Sequence, residues 1–550
     1  MDLDPRAIAG TAAKLAERFG DEAYFAALCV QAGVTRGAEL PHRSLRILLA
    51  FERHGLLAGA IGAAAIRHGD RVGLIDELGE VTYKQLEQRS NALANAWRER
   101  GLAPGEGVAI LVRNHRGFIL SVFAAAKCGA RIVLLNTSFA GPQIREVAGR
   151  EGTDLLVYDD EYSGVLDGIE PPRGRFRAWA DQPGDDTIAA LIQGAGTAAP
   201  PRTGVTPQVV ILTSGTTGMP KGAPRTEPRS LGLIGGMLSK VPFRSGDVTE
   251  LCAPMFHALG FAHAIVAIVL GSTLVVRRRF DPSRTLESLE RHRVSALIVV
   301  PVMLQRILDL GEQARRARDV SHLRIIFVGA SQLGAELSKR AMTAFGPILY
   351  NLYGSTEVAY ATIATPDDLA AEPGCVGKVV RGSVVKILDE SGNEVPPGTT
   401  GQIFVGNVSQ FEGYTGGGTK QSVKGLMSTG DLGHFDRERR LFIDGRADEM
   451  IVSGGENVFP GEVEELLARH EAIAEAAVIG VDDQDFGQRL KAFIVLRDGS
   501  QLDEDQVKYY VRQNLARYKV PREVVFVDQL PRNATGKIVK ADLRAMPRRG

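Results

Sequence analysis

From about residue 66 the chain alternates short β-branched runs with helical patterns, and this alternation restricts the fold more than any other feature. The runs Val108 to Val112, Gln208 to Leu212, Ala296 to Val300, Arg324 to Val328 and Ile348 to Tyr353 have strand length, and the helix-period segments Val302 to Leu310 and Ala335 to Phe345 lie among them. Strands and helices in turn predict an α/β fold whose sheets are covered on both faces. From Lys378 to Phe442 the pattern changes to short strands, punctuated by Ser391-Gly392-Asn393 and Pro396-Pro397-Gly398, which predicts a β-rich subdomain. After Arg446 about a hundred residues carry their own helix and strand patterns, as a small α+β domain does. The expected organisation is a helical N-terminal extension over 1–65, a large domain over 66–445 and a C-terminal lid over 446–550. The large domain combines two layered α/β subdomains with the β-rich one.

Charge restricts the ligands. The 65 Lys and Arg balance the 65 Asp and Glu among 550 residues, so no global field attracts nucleic acid or an anionic membrane, and an anionic ligand must be held locally. The four cysteines, Cys29, Cys128, Cys252 and Cys375, form no CxxC pair, which fits a reducing cytoplasm better than a disulfide framework. The N-terminus lacks the basic and apolar regions of a secretory signal. The most apolar runs, Leu56 to Ile66 and Ala264 to Val276, are shorter than the ~20 residues of a transmembrane helix, so no such segment is expected. Ser44 to Arg67 is helical and apolar on one side. It reads first as a helix packed on the main body, and second as a peripheral membrane or partner contact.

The most informative stretch is Val209 to Gly222. A buried strand runs into Thr213-Ser214-Gly215-Thr216-Thr217-Gly218-Met219-Pro220-Lys221-Gly222, which has four hydroxyls, three glycines and a lysine. Those are the groups that wrap phosphate oxygens with backbone N–H, side-chain O–H and one point charge. The loop is not of the Walker type, because Pro220 stands where Gly is needed and Gly222 where Ser or Thr is needed. That argues against a kinase or mechanoenzyme that releases ADP.

The loop resembles the phosphate loop of the adenylate-forming superfamily, which includes acyl-CoA synthetases, nonribosomal adenylation domains and luciferases. Further matches follow in the family's order. Ala253 to His257 resembles the motif that begins the acyl pocket, Asn351 to Glu357 the Y-G-x-T-E motif, and Ser428 to Asp431 the T-G-D motif. Gly445 to Asp448 resembles the interdomain hinge, Ser453 to Pro460 the glycine motif after it, and Pro531 to Lys537 the terminal lysine motif.

The resemblance implies an AMP-forming ligase that uses ATP, Mg²⁺ and CoA. Thr213, Ser214, Gly215, Thr216, Thr217 and Lys221 are expected to hold phosphates. Ala330, Tyr353 and Gly354 are expected beside the nucleotide, with the Tyr353 ring available for adenine stacking. Thr356 and Glu357 are hard oxygen ligands of the kind Mg²⁺ prefers. Asp431 can accept from both ribose hydroxyls, and Arg446 is a second ribose or phosphate contact. Lys537 is the cation that offsets charge as a carboxylate attacks the α-phosphate. Asp448 occupies the hinge position, and Gly454 and Gly455 leave room for a pantetheine tunnel. His257 has two readings, a gate of the acyl pocket and a satisfied buried histidine.

The acid is narrowed further. Met255-Phe256-His257-Ala258-Leu259 has no carboxylate to pair with an amino acid, and the form Ser453-Gly454-Gly455-Glu456-Asn457 looks like that of CoA ligases. The walls Val299 to Leu304, Gly329 to Ser331 and Val358-Ala359 are apolar or small, which suits a tail buried at roughly 0.8 kcal/mol per CH₂. A medium- or long-chain fatty acid is the favoured substrate; an aryl acid, and a carrier protein in place of CoA, are the alternatives. After Gly222 the chain departs from the family with Ala223-Pro224-Arg225-Thr226, and a kinked exit from the loop is expected there.

Overall fold

The computed structural model describes residues 5–34, 41–213, 220–226, 230–453, 456–483, 487–533 and 536–546, side chains excepted at 5–17, 41, 452, 457 and 487. Two sheets dominate the large domain. One has nine strands, whose six central members, Leu349–Tyr353, Ile325–Val328, Ala296–Val299, Val248–Leu251, Thr273–Val276 and Val72–Asp76, are parallel. Antiparallel strands close it at both edges. The other has six strands in the order Arg175–Trp179, Thr153–Asp159, Gly107–Leu111, Arg131–Leu134, Gln208–Thr213 and Lys221–Thr226, with only the last antiparallel.

A single apolar cluster joins the facing sides of both sheets through the helices Tyr83–Glu99, Arg116–Lys127 and Ala258–Val269. Separate clusters cover the outer faces. Parallel strands buried on both sides need continuous apolar runs, which is how Gly107–Leu111 and Ile325–Val328 read. Within the shared layer the buried ammonium of Lys127 is satisfied by Glu87 (2.7 Å), Ser90 (2.8 Å) and Asn91 (2.7 Å), tying two of the three helices together.

The β-rich subdomain is an antiparallel sheet of Ser383–Leu388, Gly401–Asn407, Leu426–Phe435, Ser422–Val423 and Leu441–Arg446 around its own core. The C-terminal domain has a five-stranded sheet centred on Ile473–Asp483 and Gly487–Leu496, with the helices Pro460–Ala468 and Glu504–Asn514.

Two expectations change. The exit from the phosphate loop is not a kink but an edge strand, with Pro224 opposite Val210. An edge tolerates the N–H that proline lacks. The N-terminal region forms the helices Pro5–Gln31 and Pro41–His68. The stretch His42–His68 is, contrary to expectation, long and apolar enough to cross a membrane, although half of its most apolar window is buried within the protein. Apolar windows confined to single runs miss this because the hydropathy is spread along the whole helix.

Candidate active site

The large and C-terminal domains meet around a cavity of about 1610 Å³. Several separated stretches of chain supply its polar end. Tyr353 ends the outermost parallel strand of the nine-stranded sheet, and its Oη donates to Asp431 Oδ2 at 2.7 Å while lying 3.0 Å from Thr429 Oγ1. Strand register pairs Asp431 with Arg446, whose guanidinium donates to Asp431 Oδ1 at 3.2 Å and to Asp448 Oδ1 at 3.1 Å. A carboxylate offers about four acceptor positions, so these contacts leave Asp431 able to accept from a ligand.

The segment after Tyr353 folds tightly back. A Cβ at Gly354 would overlap the carbonyl oxygen of Ala359, so only glycine fits there. Ala359 and Ala330, in the loops beside the strands, adopt φ of 61° and 75°, a left-handed conformation uncommon for non-glycine residues. Both line the cavity. Glu357 is buried, and its Oε1 accepts from Tyr414 Oη at 2.6 Å. Burial opposes its ionisation, but hydrogen bonds from Tyr414 and Ser355 and the charge of Lys420 outweigh burial and hold its pKa below the usual carboxylate value.

Lys537 enters from the C-terminal domain on a turn built by Asn533, which accepts from the Lys537 N–H at 3.0 Å and from the Gly536 N–H at 2.9 Å. Gly536 has φ of 77°, and a Cβ on it would overlap Val302 of the large domain. Glycine therefore permits both the turn and its close docking. Lys537 is removed from bulk water but projects into the open cavity, so it keeps accessible surface. Loss of bulk water lowers its pKa, Arg446 lowers it further, and Asp431, Glu357 and Glu449 act in the opposite sense.

His257 precedes the helix Ala258–Val269 at its N-cap position, its ring lies tilted 4.5 Å from that of Phe256, and its Nε2 is buried without a hydrogen-bond partner among the described residues. Burial and then the charge of Lys537 push its pKa down to about 3, so it is a neutral cavity wall. Of its two readings, the unpartnered Nε2 and the place in the cavity wall fit the gate better than the satisfied buried histidine.

Thr213, Lys221, Ala330, Tyr353, Gly354, Thr356, Glu357, Asp431, Arg446, Asp448, His257 and Lys537 all line the cavity. Ser214, Gly215, Thr216, Thr217, Gly454 and Gly455 lie outside the described residues. Three further residues had no motif to mark them. Tyr414 positions Glu357 and lies 5.2 Å beneath Lys221 Nζ, and Lys420 adds a cation to the same wall. Arg225 is half-buried, donates to the Thr356 carbonyl, and has no partner for Nε among the described residues; partial loss of water lowers its pKa to about 10, against the pull of Glu357.

Among the described residues no cluster of three or more His, Cys, Asp or Glu could cage a metal. Glu357 and Thr356 still fit Mg²⁺, which typically takes one or two protein oxygens and completes its shell with water and substrate phosphates.

The profile of the AMP-binding enzyme family matches residues 62–415, and that of the AMP-binding enzyme C-terminal domain matches 462–537. The chain is 32% identical over 504 residues to an indoleacetate–CoA ligase of Aromatoleum aromaticum, covering 88% of this chain and 95% of that one. It is 30% identical over 480 residues to the fatty acid–[acyl-carrier-protein] ligase ScoC of Streptomyces coeruleorubidus, covering 84% and 91%. The solved structure of ATP-bound MatB from Rhodopseudomonas palustris superposes with a TM-score of 0.79 at 27% identity, over 89% of this chain and 99% of that one. The chain therefore belongs to the AMP-binding enzyme family, and within it to the adenylate-forming acid–thiol ligases, which work with ATP, Mg²⁺ and CoA.

Proposed function

We propose that the chain activates a medium- or long-chain fatty acid as its acyl-adenylate and transfers the acyl group to CoA. The observation that carries this reading is the entry of the Lys537 turn into the cavity lined by Tyr353, Glu357 and Asp431. In the first half an oxygen of the substrate carboxylate attacks the α-phosphorus of ATP, and the bond to the leaving pyrophosphate breaks in line. Lys537 faces the charge that develops on the α-phosphate. Tyr353, held by Asp431, offers its ring to adenine, Asp431 accepts from the ribose, and Arg446 reaches ribose or phosphate. Lys221, Lys420 and the hydroxyls of Thr213, Ser214, Thr216 and Thr217 meet the remaining phosphate oxygens, with Gly215 allowing close approach. Thr356 and Glu357 would hold Mg²⁺, which would supply neutralisation of phosphate charge.

In the second half the C-terminal domain turns about Asp448 and withdraws Lys537. Glu449, the next residue, is already tied to the C-terminal domain through Lys540 at 2.7 Å, which supports Asp448 as the pivot. Gly454 and Gly455 then border the pantetheine path. The thiol sulfur attacks the acyl carbon, its proton passes to solvent, and AMP leaves.

An aryl acid is the second reading, favoured by the 32% identity to an indoleacetate–CoA ligase. The experiment is a nucleotide and thioester analysis with Mg-ATP, CoA and acids from butanoate to hexadecanoate, together with benzoate and indoleacetate. Equal yields of AMP and acyl-CoA, highest with the longer alkyl acids, are expected. Preference for the ring acids selects the second reading, acyl-AMP accumulating despite CoA points to a carrier-protein acceptor, and ADP contradicts all three.

A further inference from the structure

We propose that the two N-terminal helices build a distal tail subsite, so that the acid bound here carries an apolar tail of about twelve carbons or more. The inference rests on the acyl-CoA ligase reading for the head of the substrate, and on the following geometry for its tail. The cavity does not end at the acyl pocket beside Ala330. It is lined by His257 at the start of the helix Ala258–Val269 and by Val269 at its end. Twelve helical residues rise about 18 Å, the extended length of an alkyl chain of about fourteen carbons.

Along that course the far wall comes from residues that precede the family profile, which begins at 62. Val30, Phe51, Leu57 and Ala60 line the cavity together with Phe261 and Ile265 of the helix Ala258–Val269. A tail there meets hydrocarbon from these residues, the setting in which each methylene adds affinity.

The wall is anchored rather than loosely applied. Glu22 accepts from the Leu231 N–H at 3.0 Å and from the Ser230 hydroxyl, Asp21 pairs with Arg381 at 2.7 Å, and the Ala32 carbonyl accepts from the Ser245 N–H at 2.7 Å. The helix Pro41–His68 breaks at Gly55, whose φ of 78° is left-handed. The break lets the chain fold so that Phe51 lies against Gly59. Val30 and Leu56 line the cavity and are 50% and 44% exposed, so packed side chains do not fill its distal end. Activity should rise with chain length and then level off.

The test compares tetradecanoate with octanoate, both by equilibrium dialysis of the labelled acids and by acid-dependent AMP formation. The wild-type protein is expected to bind tetradecanoate at least tenfold more tightly. Val30→Asp places a carboxylate at the distal end, where an exposed position tolerates it, and Ala60→Phe fills the channel. Each should lower tetradecanoate binding and kcat/KM about tenfold and leave octanoate within twofold, which also reports that the variant is folded. Equal binding of the two acids by the wild type, preference for a ring acid, or equal losses for both acids in Val30→Asp overturns the subsite. Length-selective binding without AMP formation from any acid supports the subsite and instead refutes the ligase reading of the head.

Discussion

The phenol of Tyr414 donates to Glu357 Oε1 at 2.6 Å, and the same ring lies under Lys221. One residue of the β-rich subdomain thereby links the end of the phosphate loop to the carboxylate proposed to hold Mg²⁺.

Tyr414→Phe keeps the ring beneath Lys221 and removes the hydrogen bond. Glu357 then loses one of the contacts that favour its charged form, so its pKa rises. The expected result is a several-fold higher Mg²⁺ concentration for half-maximal pyrophosphate exchange, with the KM for the acid unchanged. A change in acid KM alone would show that Tyr414 acts on the acyl side.

Gly536→Val should slow adenylation selectively. The substitution places a side chain against Val302 and forces an unfavourable backbone conformation on the Lys537 turn. Pyrophosphate exchange should fall by roughly 10²-fold or more as Lys537 is displaced, while thioester formation from supplied acyl-AMP stays within a few-fold.

Asp448→Pro restricts rotation at the proposed junction and should give the opposite asymmetry. Exchange is expected to persist and transfer to CoA to fail, measured on the same two half-reactions. Unimpaired transfer would place the pivot elsewhere.

Away from the site, Glu250 makes stability depend on pH. It is buried in the strand Val248–Leu251, and burial pushes its pKa up to about 7 against the opposing effects of Ser288 and Arg277. Between the ordinary value of 4.5 and about 7 the folded protein therefore holds a proton that the unfolded chain has released. This stabilising contribution is complete below the lower value and is lost as pH rises through the upper one. The loss amounts to up to roughly 3 kcal/mol. The urea midpoint should fall between pH 5 and pH 8 by less in Glu250→Gln than in the wild type; identical slopes would remove Glu250 as the cause.

The layered α/β architecture was legible because strands buried on both faces must be continuously apolar, as Ile325–Val328 is, and because Ala335–Phe345 carries a clear helical period. The motif residues were legible because they resemble, in order, the motifs of the adenylate-forming superfamily, without which Lys537 reads as an ordinary surface lysine, and Tyr353, Glu357, Asp431, Arg446 and Lys537 do line one cavity. Tyr414, Lys420 and Arg225 were not legible. Each matters only through a neighbour distant in sequence, Glu357 or Thr356, and no local pattern records such a contact. The N-terminal helices show the same limit. Their apolar face signals burial, but an apolar face packed on protein and one lining a channel have the same periodicity.

The central claim is that Lys537, seated in this cavity, serves adenylation and not thioester transfer. The direct measurement is the pair of half-reactions in Lys537→Ala: acid-dependent pyrophosphate exchange, and CoA thioester formation from supplied acyl-AMP. The account predicts that exchange falls by about 10²-fold or more while transfer stays within a few-fold of the wild type. Equal loss of both half-reactions, or exchange that survives, would contradict it.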